Sequence, residues 1–384
     1  MSFNSEPLDM KFYCLLLLVL FLSCKQESDR KEALMDAVAA ERSDARMDLS
    51  SILKVKKIIP LQTSDSSLVG RVNKIYKSEG CFYVQSGNKT LTVFNGEGKF
   101  LRKIGSLGNG PEEFPDLTDF DVDRQHVYIL TARKILVFDK RGKYERSIAL
   151  PGNVSGFRVI GDKMLMFVLG EEHVCYLTDM EGKVVECRLK RNEALRLVRA
   201  VPFVSYGTHK ILFQKGHSND LLSYDLTTGC FEDMVFLASG DALSSEKENE
   251  LLQTPGINRQ DILSYGTVFD GLTSSATQTI FGSIEKGKGL TLWVKDHVKG
   301  TQRSYALSNL RDDITYTSPD FFAMENTYSP ESFITYIQPY RIVEGLEENA
   351  EHSQEDNYKS IKQVMDSAGD AEEGNPVLIE FEFE

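Results

Sequence analysis

The 384-residue chain lacks the short patterns by which many catalytic and metal-binding classes can be recognised. It has no Cys-x-x-Cys pair, no His-Glu-x-x-His run and no Gly-x-Ser-x-Gly elbow, so neither a zinc site nor a hydrolase nucleophile turn is supported. Gly152-Asn153-Val154-Ser155-Gly156 misplaces the serine of such an elbow by one position. Cations are also in short supply. With 44 Lys and Arg against 57 Asp and Glu the formal net charge is −13, which excludes nucleic acid as a partner, because phosphate binding needs clustered basic residues that release counterions. Long apolar runs are missing as well: the longest apolar stretch near the N-terminus, residues 12–22, falls well short of the roughly 20 residues that span a bilayer. What remains is an ordinary globular composition, 41% hydrophobic and 26% charged, able to bury a large core.

That short apolar stretch follows Met10-Lys11 and reads as the core of a signal peptide. The residues before it include Glu6 and Asp9 and no base, so translation is expected to start at Met10. Its end, Phe21-Leu22-Ser23-Cys24, resembles a lipobox, with Phe21 in the place of the usual aliphatic residue. The resemblance implies cleavage after residue 23 and acylation of Cys24, hence a protein of the outer membrane held by lipid alone. Lys25-Gln26-Glu27-Ser28-Asp29 resembles the acid-rich tags of surface-exposed lipoproteins. Residues 24–50 alternate acids, bases and Ala and are expected to form a flexible tether, with residues 51–384 as the folded domain.

Within that domain one unit recurs: an alternating apolar run, an Asp-like residue, two or three polar residues, Gly, and a second alternating run. Copies are Leu91 to Phe100, Ile135 to Tyr144, Cys175 to Val184 and Leu222 to Gly229. Period-two alternation makes each flank a strand. The Asp-x-x-Gly core suits a type I turn whose Asp accepts from turn amides and whose Gly takes the left-handed conformation at a bulge. Turn glycines 98, 142, 182 and 229 lie 40 to 47 residues apart, the length of a four-stranded propeller blade. Setting aside two stretches that read as insertions, residues 240–262 and 347–374, the domain divides into six such blades. The expected fold is therefore all-β, a six-bladed β-propeller of four-stranded antiparallel blades. Lys54 to Ile59 and Val377 to Phe381 both read as strands and are expected to close the ring in one sheet.

Residues Leu101 to Gly105, Gly108-Asn109-Gly110-Pro111-Glu112-Glu113-Phe114, Asp119 to Asp123 and Asn375 to Leu378 resemble the six-bladed propeller lipoproteins of Gram-negative anaerobes, which are similar to TolB-like and NHL-type propellers. The resemblance implies the fold and an envelope location; no catalytic residue comes with it. Glu112 replaces a glycine usual in that loop.

Candidate ligand residues are Gly108 and Gly110, in the glycine-rich loop, with Asp119, Asp121 and Asp123, which alternate and so share one side of a strand near the channel. Three carboxylates there could hold calcium, whose ligands are oxygens. The expected function is non-enzymatic binding of an envelope protein or glycan on the face bearing residues 108–123. The alternative is a propeller enzyme, a metal-dependent lactonase or a glycan lyase or hydrolase, with acids and histidines gathered at the channel mouth. Histidines 126, 173, 209, 217, 297 and 352 show no metal-binding spacing. If Asp179 and Lys183 oppose each other across the third hairpin, Cys175 and Cys187 also oppose each other, close enough for a disulfide to be tested.

Overall fold

The computed structural model describes residues 31–43, 45–110, 112–192, 202–238, 242–258, 261–262, 264, 266, 268–285, 289–317, 327–329, 331–367 and 374–384. The expected signal peptide and Cys24 lie outside these residues. Six blades surround a central channel. Blades 1 to 5 each contain four consecutive antiparallel strands, over residues 72–103, 119–149, 153–190, 203–237 and 268–306. Blade 6 is assembled from distant parts of the chain: Phe333–Ile337 is innermost, Val377–Phe383 lies beside it, and Leu53–Pro60 is outermost. The ring is thus closed by both ends of the folded chain, as the two terminal strand patterns imply.

Each blade presents apolar side chains on both faces, so a core forms at every interface between neighbours. Tyr83, Val93, Phe120 and Ile129 fill the seam of blades 1 and 2, and Val137, Phe157, Met164 and Met166 that of blades 2 and 3. Phe167 with Phe213, Phe236 with Phe269, Ile280 with Phe333, and Phe82 with Leu378 mark the other four seams. Burial of each large apolar side chain contributes about 1.5–3 kcal/mol, which makes the seams the main source of cohesion in the ring.

The repeated turn has the chemistry its sequence implies. The side chain of Asp139 accepts from the amides of Arg141 (2.9 Å) and Lys143 (2.8 Å), and Asn95, Asp179 and Asp225 accept from their own turn amides in the same way. Gly182 shows why the glycine is needed. Its φ is +86°, and a Cβ there would stand 2.0 Å from the Ala149 carbonyl oxygen of the preceding blade. A fifth copy, which the sequence pattern did not reveal, spans Asp296 to Gly300 in blade 5.

In blades 1 to 3 the hairpin carries an additional residue after the turn, and that corrects the cysteine expectation. In blade 3 Thr178 opposes Val184 but Leu177 opposes Glu186, so Val185 is bulged out and the register shifts by one. Cys175 therefore opposes Arg188, and Cys187 opposes Tyr176; Cys175 is buried, Cys187 half-buried, and both are free thiols.

The tether expected over residues 24–50 is also corrected for its described part. Glu32–Met35 joins the outer edge of blade 4 in parallel, Glu41–Ser43 joins blade 5, and Met47–Asp48 pairs with Leu310–Arg311. Leu34 and Met35 are buried in the seam between blades 4 and 5, which offsets the ordering of this charged segment. The first inserted stretch contains helix α1 (Ser245–Gln253) and the second contains α3 (Asp356–Ser367), while α2 (Pro339–Glu348) begins ahead of the second.

Candidate functional site

Inner strands of neighbouring blades converge on the channel, and on the side of blades 1 to 3 they fill it with a paired polar core. Lys74, on the innermost strand of blade 1, donates to Asp119 Oδ1 (2.8 Å) and to the Phe120 carbonyl (2.6 Å). The other Asp119 oxygen accepts from the Phe157 amide of blade 3 (3.1 Å). Two residues along, Asp121 accepts from the Arg158 guanidinium (2.9 Å) and from the Val159 amide (2.7 Å). The two carboxylates thus do share a side of their strand, and that side faces blade 3. Burial pushes the Asp119 carboxyl above its ordinary value, against the pull of the Lys74 ammonium and the Phe157 and Phe120 amides.

Asp123 is separated from them. It lies just beyond the strand and closes the turn to the next one, accepting from the Gln125 and His126 amides and the Tyr128 hydroxyl. The calcium expectation does not fit this arrangement, since Asp119 and Asp121 already face a lysine and an arginine. Among the described residues no three His, Cys, Asp or Glu side chains converge as a metal site.

The glycine-rich loop does cradle an anion, but one belonging to the chain. Gly110 N donates to Glu113 Oε2 (2.9 Å), and a Cβ at Gly108 would stand 2.0 Å from that same oxygen. The loop lies between blades 1 and 2 and is occupied by its own glutamate.

Arg158 is the element that sequence reasoning missed. Its guanidinium is nearly buried and lies 3.9 Å from the ring centroid of Tyr328 and 5.2 Å from that of Tyr76. Ser205 Oγ, from blade 4, approaches Arg158 at 3.4 Å and the Tyr328 hydroxyl at 2.8 Å. Burial opposes the arginine's charge, but the Asp121 carboxylate beside it holds the guanidinium above its ordinary value. The residues come from strands far apart in sequence, so no spacing could have signalled them.

Above Arg158, Ser205 and Tyr328 opens a cleft of about 570 Å³ at the channel mouth. Its walls are the inner hairpin turns of blades 3, 4 and 5: residues 160–162, 207–208 and 274–276. Such a volume suits a small ligand or a projecting group. The charges in the wall are largely compensated, since Lys210 donates to Glu32 (2.5 Å) and Glu232 (3.2 Å). Among its described lining residues the cleft has one carboxylate, Asp162, and no histidine or cysteine.

A crystal structure from Bacteroides fragilis, described as a "Putative exported protein", superposes with a TM-score of 0.69 at 16% identity, covering 90% of this chain and 99% of that one. The Pan2 WD40 domain of Neurospora crassa (TM-score 0.38, 11% identity, 70% and 75% covered) and BamB of Moraxella catarrhalis (0.35, 15%, 65% and 78%) match far more loosely. The first of these supports the propeller fold alone. No curated protein matches the sequence. Residues 35–382, nearly the whole described ring, match one family profile, and the chain belongs to that family, the domain of unknown function DUF4934.

Proposed function

We propose that the chain is an outer-membrane lipoprotein, acylated at Cys24, whose propeller binds an envelope ligand in the cleft at the channel mouth without transforming it. The observation that carries this reading is the prepared floor of the cleft. Arg158 is fixed by Asp121, Ser205 and two tyrosine rings, so a ligand meets a rigid polar surface and little ordering is needed on binding. The export signal in the sequence and the exported character attributed to the Bacteroides fragilis relative favour the envelope. The ligand is a glycan fragment or a projecting group of an envelope protein. Lactonase or glycan hydrolase chemistry would call for a metal cage or paired carboxylates, and the cleft's described lining offers the single carboxylate of Asp162.

Native mass spectrometry of the full chain, incubated with the small-molecule fraction of an envelope extract, tests this. A bound species of defined mass should appear, be released unchanged, and disappear in Ala276→Trp, which fills the cleft. No adduct, an adduct that persists in the variant, or a chemically altered product would overturn it.

A further inference from the structure

The polar side chains that line the cleft fall into two groups, those bonded within the fold and those left over. Both of its cations belong to the first group. Arg158 donates to Asp121 (2.9 Å), and Lys210 donates to Glu32 (2.5 Å) and Glu232 (3.2 Å). An anionic ligand would have to displace a carboxylate from one of them. Asp162 and Thr208 form the second group. Both are exposed, and among the described residues neither side chain makes an ion pair or a hydrogen bond.

Short inner turns fix these two residues. Ile160 opposes Lys163, so Gly161-Asp162 is a two-residue turn in blade 3, and Tyr206 opposes Lys210, which leaves Thr208 at the centre of a three-residue turn in blade 4. The glycines keep the tips open: a Cβ at Gly161 or at Gly207 would meet nothing within 4 Å.

The balance of charge follows from the same contacts. In the wall and the groups bonded to it, two cations, Arg158 and Lys210, stand against four carboxylates, Asp121, Glu32, Glu232 and Asp162, which leaves two negative charges in excess. A cleft with one sign in excess focuses its field on the opening and draws in the opposite charge. An ammonium has three donors and no acceptor, which suits a bare carboxylate and a free hydroxyl oxygen, and its carbon stem finds Ile160 and the exposed Leu226 in the same wall.

We propose that the cleft recognises a primary ammonium group, with Asp162 as its counter-charge, carried by an amino sugar or by a lysine side chain of an envelope protein. This rests on the cleft being the ligand site. Ligand-observed NMR titration of the full chain, at pH 6 and low ionic strength, uses two pairs of probes that differ only by acetylation of the amine: glucosamine with N-acetylglucosamine, and Nα-acetyl-lysine N-methylamide with its Nε-acetylated form. At least one amine should bind about ten-fold or more tightly than its acetylated partner, the worth of one hydrogen bond to a charged group, and the pair that shows it names the source. The preference should vanish in Asp162→Asn, return in Asp162→Glu, and be lost with all binding in Ala276→Trp. Equal binding within both pairs, tighter binding of an acetylated form, or a preference that survives Asp162→Asn overturns the ammonium assignment; where Ala276→Trp still abolishes the binding, the cleft stands as the ligand site. Absence of binding by all four probes overturns the assignment too, and the cleft falls with it only if the envelope extract also gives no adduct.

Discussion

Glu248 offers a sharp test of how the inserted helix is held. It sits on α1, is fully buried, and accepts the His217 amide at 2.8 Å, filling the space beside Gly216 where a Cβ would stand 2.4 Å from its carboxylate. The groups around it are the His217 and Ser218 amides, the Ser218 hydroxyl and the Asp220 carboxylate. Burial is the dominant cause that raises its pKa to about 7, from an ordinary 4.5. A carboxyl raised in this way holds a proton in the folded state that the unfolded chain has released. Its contribution is therefore fully present below about 4.5 and is lost as the pH rises to about 7. Over those roughly 2.5 pH units, at about 1.36 kcal/mol each, the loss is about 3 kcal/mol. With an unfolding entropy of about 2.1 cal/mol/K per residue over roughly 350 residues, that corresponds to a melting temperature lower by about 4–5 °C. Glu248→Gln, which keeps the acceptor for the His217 amide and cannot ionise, should remove this component. The difference in melting temperature between variant and wild type, measured from pH 5 to pH 8, should rise by several degrees in favour of the variant. Two parallel curves would refute the reasoning.

The polar core gives a second expectation. Asp121→Ala leaves Arg158 buried without its counter-charge and should cost about 3–5 kcal/mol, read from urea denaturation; a cost below 1 kcal/mol would show that the pair holds nothing. Gly182→Ala and Gly161→Ala both place alanine at positive φ, but only the first meets a backbone oxygen, so it should be more destabilising by at least about 1 kcal/mol. Removing residues 376–384 deletes the strand that joins the inner and outer strands of blade 6. The whole ring should then melt lower, and an unchanged transition would contradict closure through that blade.

What the sequence made legible was local. The Asp-x-x-Gly turn carries its own reason for being a turn, so four hairpins and the blade length could be read from it. The copy at Asp296 has the same turn length as the one at Asp225 and escaped because it holds His297 and Val298 where the others have more typical turn residues. The alternation of Asp119 and Asp121 was visible, but their partners, Lys74 and Arg158, stand 45 and 37 residues away and meet them only through the ring. The cleft is harder still, assembled from turns of three blades. Leu34, Met35, Met47 and Leu49 were the signal that residues 31–50 dock, and the charges around them masked it. The cysteine register failed on one bulged residue, Val185, which no composition rule places.

In the proposed function, ligand is held at the turns of blades 3, 4 and 5 and not at the glycine-rich loop. Hydrogen exchange of the full chain, with and without the ligand fraction that gives the mass-spectrometric adduct, tests this directly. Slowed exchange is predicted at residues 160–162, 207–209 and 275–277, with residues 108–114 unchanged. Protection confined to 108–114, or absent from all three turns, would contradict it.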